Sequence, residues 1–103
     1  MNAYARFRWM LAEDNTTIKT YDQDVWAKMP DMTLPLAPSL QIIEGLHVRW
    51  TNLLSALPED AWSRKATHPE RGQVSMDDML EIYSDHGHNH AKQITDLRAR
   101  KGW

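Results

Sequence analysis

Apolar residues recur at the three- and four-residue spacing of an amphipathic helix in three segments of the chain. The segments are residues 2–12, 39–57 and 76–100. The middle one carries the longest unbroken apolar stripe, formed by Ile43, Leu46, Trp50, Leu53, Leu54 and Leu57. No run of alternating residues long enough to predict a buried strand stands out. The pattern therefore predicts an all-α fold with about three main helices.

The two segments between these helices are rich in turn-forming residues. Residues 13–38 contain three prolines and predict a long crossover with one helical turn near residues 22–28. A connection of that length is uncommon unless it packs or has a function. Residues 58–74 contain Pro58, Pro69 and Gly72 and predict a loop, in which His68 is a turn residue.

The last helix has clear signals at both ends. Ser75 is expected to cap its start, with Asp78 at the capping-box position. Basic residues complement the dipole at its other end, and Gly102 can close it. The first helix, in contrast, begins at the second residue without a cap ahead of it.

Three of the five histidines, His86, His88 and His90, lie at every second position of this last helix. At 100° per residue, His86 and His90 are separated by about 40° in the middle of the apolar face, whereas His88 points to the opposite side. Two imidazoles one helical turn apart can bind a single metal ion. The alternative is a pair of buried histidines whose nitrogens bond to side chains or water.

His47 lies within the apolar stripe of the middle helix. A single histidine on an apolar face is more often a satisfied core residue than a functional one. Its functional interpretation is a proton carrier, a partner of a metal-bound group or an additional ligand. Asp85 lies about 100° from the histidine face and is a poor candidate ligand.

Composition narrows the classes of function. A chain of 103 residues is long enough for one domain, and 42% hydrophobic with 25% charged residues is ordinary for a globular one. A net charge of −2 gives no reason to expect nucleic acid or a membrane surface as partner. The chain has no cysteine, which excludes thiolate ligands and a cysteine nucleophile. We expect a cytoplasmic location, because no signal peptide or long apolar segment is evident.

Four stretches together resemble the DinB/YfiT-like superfamily of metal-dependent hydrolases, which also contains thiol-dependent S-transferases. They are MNAYARFRWMLAEDNTTIKTYDQDVWA (1–27), SLQIIEGLHVRW (39–50), HPERG (68–72) and YSDHGHNHAKQI (83–94). The resemblance implies a four-helix bundle with a long crossover that holds a divalent metal, typically nickel or zinc, on three histidines. Two of these histidines come from the last helix in a pattern like YxWHxxHHxxHI, and they fall on His86 and His90.

The sequence departs from the family pattern at several positions. Asp85, Asn89 and Gln93 stand where the family has Trp, a second adjacent His and a later His. In the family, the segment like MNAYARFRW follows a motif like HVADSH, which supplies the remaining metal ligand. The resemblance thus implies that residues 1–103 form a single helical-bundle domain that lacks the family's first helix, part of its second and one ligand.

These inferences lead to one expected function and two alternatives. The leading one is a hydrolase of ester- or amide-type small molecules, in which a metal-bound water is the nucleophile and His47 moves protons. The alternatives are thiol S-transfer and a non-catalytic fragment that self-associates. The uncovered helical faces predict a homodimer or a higher oligomer, since large apolar patches mark interfaces. A partner chain is then expected to complete the coordination of the metal.

Overall fold

In the computed structural model, which describes residues 1–103, three long helices and a small hairpin surround one core. The main helices are α1 (Asn2–Ala12), α3 (Leu36–Ser55) and α4 (Met76–Lys101); α2 (Gln23–Trp26) is a short turn. Two 3-10 helices cover Pro30–Thr33 and Glu59–Ser63. The helical class, the three main helices and the helical turn within the long crossover are confirmed. None of the helices combines the length and the apolar character needed to cross a membrane.

The predicted ends of α4 are confirmed. The Asp78 N–H donates to the Ser75 hydroxyl at 3.1 Å, and the Ser75 N–H donates to the Asp78 carboxylate at 2.7 Å. These two bonds form a capping box. The hydrogen bond from the Ser75 backbone holds the pKa of the Asp78 carboxyl below its ordinary value, and the Ser75 hydroxyl contributes in the same direction. At the other end Gly102 adopts the left-handed conformation, with φ 70°.

The prediction of a loop over residues 58–74 is wrong for its second half. Strands β1 (Lys65–His68) and β2 (Gly72–Ser75) form an antiparallel hairpin that leads directly into α4. Ala66 pairs with Val74, and both are buried. His68 closes the turn, because its Nδ1 accepts hydrogen bonds from two backbone N–H groups, at 3.1 and 3.2 Å. The turn role predicted for His68 is therefore confirmed.

The hairpin also fixes the start of the crossover. Thr67 exchanges backbone hydrogen bonds with Thr16 and Ile18, each 2.9 Å long, so a short piece of the crossover lies beside β1. The Arg64 guanidinium donates to the Met10 carbonyl at 2.7 Å, near the end of α1. A cation at this position satisfies a carbonyl that the helix itself leaves unpaired.

The core is small and lies at one end of the molecule. It consists of Phe7, Met10, Ile18, Ala66, Val74, Met76 and Met79. The Cα radius of gyration is 16.0 Å, whereas a compact domain of this length has about 13 Å. All residues from 84 to 103 are exposed. The second half of α4 therefore extends beyond the core, and no other element of this chain covers it.

Candidate metal site

The two histidines selected from the sequence lie side by side on α4. Their Nε2 atoms are 3.0 Å apart, and their ring centroids are 4.4 Å apart with the planes at 81°. The predicted common face of His86 and His90 is therefore confirmed at the level of geometry. His88 takes no part in this contact, as the helical angles predict.

Both histidines are exposed to solvent. The alternative of a pair buried within the core does not describe them in this chain. Apolar residues follow on the same face, with Ile94 62% and Leu97 38% exposed. The site is thus an open face with an apolar flank, and solvent or a partner has access to it.

Gln93 fixes the orientation of the His90 ring. Its Oε1 lies 3.0 Å from His90 Nδ1, so the imidazole donates an Nδ1–H hydrogen bond to the amide oxygen. A neutral imidazole with its proton on Nδ1 has a lone pair on Nε2. His90 therefore presents an unprotonated Nε2 towards His86. Without a metal ion, the Nε2–H of His86 donates a hydrogen bond to the His90 Nε2.

The arrangement fits a divalent transition metal. Imidazole nitrogens bind zinc at about 2.0–2.1 Å, so two of them that subtend about 90° to 109° at the ion are about 2.8–3.4 Å apart. The observed separation of the Nε2 atoms, 3.0 Å, lies in that range. For both Nε2 atoms to bind the ion, the proton of His86 must lie on Nδ1 and not on Nε2. Gln93 supplies the outer hydrogen bond that metal-bound histidines usually have.

No group of three or more His, Asp or Glu side chains in this chain is placed so that it could hold a metal ion. The structure does not bring His47 to the pair. Its ring instead neighbours Trp50, with centroids 6.1 Å apart, and its Nδ1 donates to the Ile43 carbonyl at 2.8 Å. Two histidines are the complete ligand set that residues 1–103 provide.

Helical angles predict Tyr83 on the histidine face and Trp50 in the apolar stripe of α3, but not the contacts that join them beside the pair. The ring of Tyr83 lies edge-on to His86, with centroids 6.3 Å apart, and Trp50 is 5.9 Å from Tyr83. The Arg6 guanidinium donates to the Tyr83 hydroxyl at 2.7 Å. The bond between Arg6 and Tyr83 could not be predicted from the helical period, because it joins residues 77 positions apart.

The fold and the site define a helical-bundle protein with a histidine pair on its last helix, and comparisons with known proteins agree. The solved structure of YfiT from Bacillus subtilis superposes with a TM-score of 0.93 at 35% identity, covering all of this chain and 60% of that one. YfiT is described as "a probable metal-dependent hydrolase with an unusual four-helix bundle topology". Relatives from Bacillus cereus and Bacillus thuringiensis, named "putative metal-dependent hydrolase", are 42% identical over 103 residues.

The model of the DinB superfamily matches residues 1–94. The chain belongs to the DinB superfamily, and the resemblance derived from the four sequence stretches is confirmed. The chain spans about 60% of the length of the curated relatives that it matches. The activity of the whole proteins is therefore carried to this chain only as a proposal.

Proposed function

We propose that this chain carries the metal-binding helix of a metal-dependent hydrolase that acts on ester- or amide-type small molecules. The observation that carries the proposal is the 3.0 Å separation of the His86 and His90 Nε2 atoms on one face of α4. The names of the relatives and of the structural neighbour support the same class of activity. A zinc or nickel ion on this pair would supply a water molecule of lowered pKa as the nucleophile.

The side chains have distinct roles in this proposal. His86 and His90 hold the ion through Nε2, and Gln93 keeps the His90 ring in the required tautomer. His47 moves protons: it is an exposed residue whose Nδ1 donates to the Ile43 carbonyl, which leaves a lone pair on its Nε2. His47 neighbours Trp50, and Trp50 neighbours Tyr83, so proton transfer between His47 and the pair would require a chain of water molecules.

The remaining ligands come from outside residues 1–103, and we propose a second copy of the chain as their source. Catalytic zinc sites usually have three protein ligands, and this chain provides two. A two-fold axis near the middle of α4 would place the histidine pair of one copy opposite the pair of the other. It would also cover Ile94 and Leu97, which are exposed in the single chain.

The stoichiometry of the metal tests this arrangement. A dimer with half an ion per chain supports one ion shared by four histidines, and a ratio near one supports separate ions with a partner ligand. A folded 12 kDa monomer that retains metal with unchanged affinity would exclude the second copy. The cytoplasmic location expected from the sequence stays a prediction.

Hydrolysis of a simple ester tests the proposed activity. The nickel-loaded chain should hydrolyse 4-nitrophenyl acetate, and the rate should fall to that of the metal-free chain after chelation and in the variant His86→Ala. His88→Ala is the matched control, because it removes an exposed histidine from the same helix but not from the pair. Equal rates in the His86→Ala and His88→Ala variants would contradict the proposal.

A further inference from the structure

Tyr83 packs between the core and the first residue of the histidine pair, His86. The centroid of its ring lies 6.0 Å from that of Phe7, 5.9 Å from that of Trp50 and 6.3 Å from that of His86. The residue is half-buried, unlike the exposed histidines that follow it. The phenol therefore lies at the boundary between the core and the histidine pair, with His86 as its neighbour along α4.

The hydrogen bond from Arg6 leaves the Tyr83 hydroxyl free to act as a donor. Its Nη1 donates to the Tyr83 hydroxyl at 2.7 Å, while its Nη2 donates to the Lys19 carbonyl at 2.9 Å. The guanidinium also lies over the Tyr21 ring, 5.7 Å from the centroid. An arginine only donates hydrogen bonds, so the phenol oxygen is the acceptor. The O–H proton of Tyr83 has no acceptor within the chain.

We propose that Tyr83 donates a hydrogen bond to the substrate oxygen that becomes negatively charged during hydrolysis. This inference rests on the proposed function, because it places the reacting group at His86 and His90. The phenol keeps its proton and forms no covalent bond. Tyr83 contacts the substrate, and Arg6 is a positioning residue that acts through Tyr83.

Two physical effects favour this role. A donor that is already fixed before reaction stabilises developing negative charge without the cost of reorienting solvent. The positive guanidinium on the phenol oxygen also polarises the O–H bond, since consecutive hydrogen bonds strengthen one another. The substrates that fit are carbonyl or phosphoryl compounds, whose reacting centre bears an oxygen that gains charge.

The test uses methylphosphonate as a stable mimic of a tetrahedral oxyanion. The 103-residue chain is loaded with cobalt, and methylphosphonate is titrated while the visible absorption of the cobalt is recorded. Tyr83→Phe keeps the ring and its packing but removes the donor, so its dissociation constant should rise about 10-fold. Cobalt affinity should stay within about twofold, because the phenol is not a ligand.

Two further variants separate the donor from a packing effect. Tyr21→Phe removes the hydroxyl of the other tyrosine beside Arg6 and should bind methylphosphonate like the parent. Arg6→Met should weaken binding in the same direction as Tyr83→Phe, and Arg6→Lys should restore part of the loss.

Each other outcome has a defined meaning. If cobalt binds but Tyr83→Phe and the parent bind methylphosphonate equally, or neither binds it, the role of Tyr83 is wrong while the metal site stands. An equal loss of cobalt affinity would show that Tyr83 only supports His86, which also overturns the inference. If the parent chain binds no cobalt, both the proposed function and this inference fail.

Discussion

Gln93 should contribute to metal affinity although it does not touch the ion. Its amide oxygen accepts the Nδ1–H of His90 at 3.0 Å, and this bond selects the tautomer with a free lone pair on Nε2. The variant Gln93→Met retains the length and the helix propensity of the side chain but removes the acceptor. His90 then populates both tautomers and rotates more freely.

The expected loss of nickel affinity in Gln93→Met depends on how far His90 and Gln93 are exposed to water. Loss of an outer partner of a metal-bound histidine typically lowers affinity about 10- to 100-fold. Because His90 and Gln93 are both exposed, water can replace the amide as acceptor, which places the effect near the lower limit. We therefore expect about a 10-fold rise in the nickel dissociation constant, equal to about 1.4 kcal/mol.

The assay combines calorimetry with NMR. Nickel titration of the parent and of Gln93→Met gives the two dissociation constants, and the ¹⁵N shifts of the imidazoles in the metal-free chain give the tautomer of His90. Asn89→Leu is the control, since it removes an exposed amide from the same stretch of α4 that forms no side-chain hydrogen bond. Unchanged affinity together with an unchanged tautomer in Gln93→Met would refute the reasoning.

Three further predictions concern the fold and the specificity of the site. Phe7→Ala should cost about 3–5 kcal/mol of unfolding free energy in a urea titration, because the side chain is fully buried against Trp50; a loss below about 1 kcal/mol would contradict the packing. The lowered pKa of Asp78 means that its capping contribution is complete above about pH 5 and is lost as the pH falls through the ordinary carboxyl value and then the folded one. The difference in stability between the parent and Asp78→Asn should therefore shrink on acidification from about pH 5, and a constant difference would argue against the cap. His88→Ala should leave nickel affinity within about twofold, whereas a larger loss would show that the wrong face of α4 was assigned.

The sequence was sufficient to predict α4 because its signals are local. The cap at Ser75, the carboxylate three residues later and the glycine at its end all act within one turn of the helix. The same helical period placed His86 and His90 together. For α3 the period predicted residues 39–57, whereas the helix covers Leu36–Ser55 and begins directly after Pro35. A proline within the first turn, Pro38, is compatible with that start because the first N–H groups of a helix have no partner.

The hairpin could not be predicted because each strand is four residues long and buries little. Only Ala66 and Val74 turn fully inward, so no alternating apolar pattern results. The hairpin depends on contacts far apart in the chain, including the pairing of Thr67 with the crossover. The bond between Arg6 and Tyr83 was missed for the same reason. The contact between Gln93 and His90 could have been predicted, because residues three apart are neighbours on a helix surface.

X-ray absorption at the nickel edge tests the central claim most directly, because it reports the atoms bound to the ion. In the nickel-loaded chain, we expect imidazole nitrogens at about 2.1 Å from the ion and the multiple-scattering pattern of histidine rings. Both features should disappear in the double variant His86→Ala/His90→Ala and persist in His88→Ala. A parent spectrum without imidazole scattering, or an unchanged spectrum in the double variant, would contradict the assignment of His86 and His90 as the metal ligands.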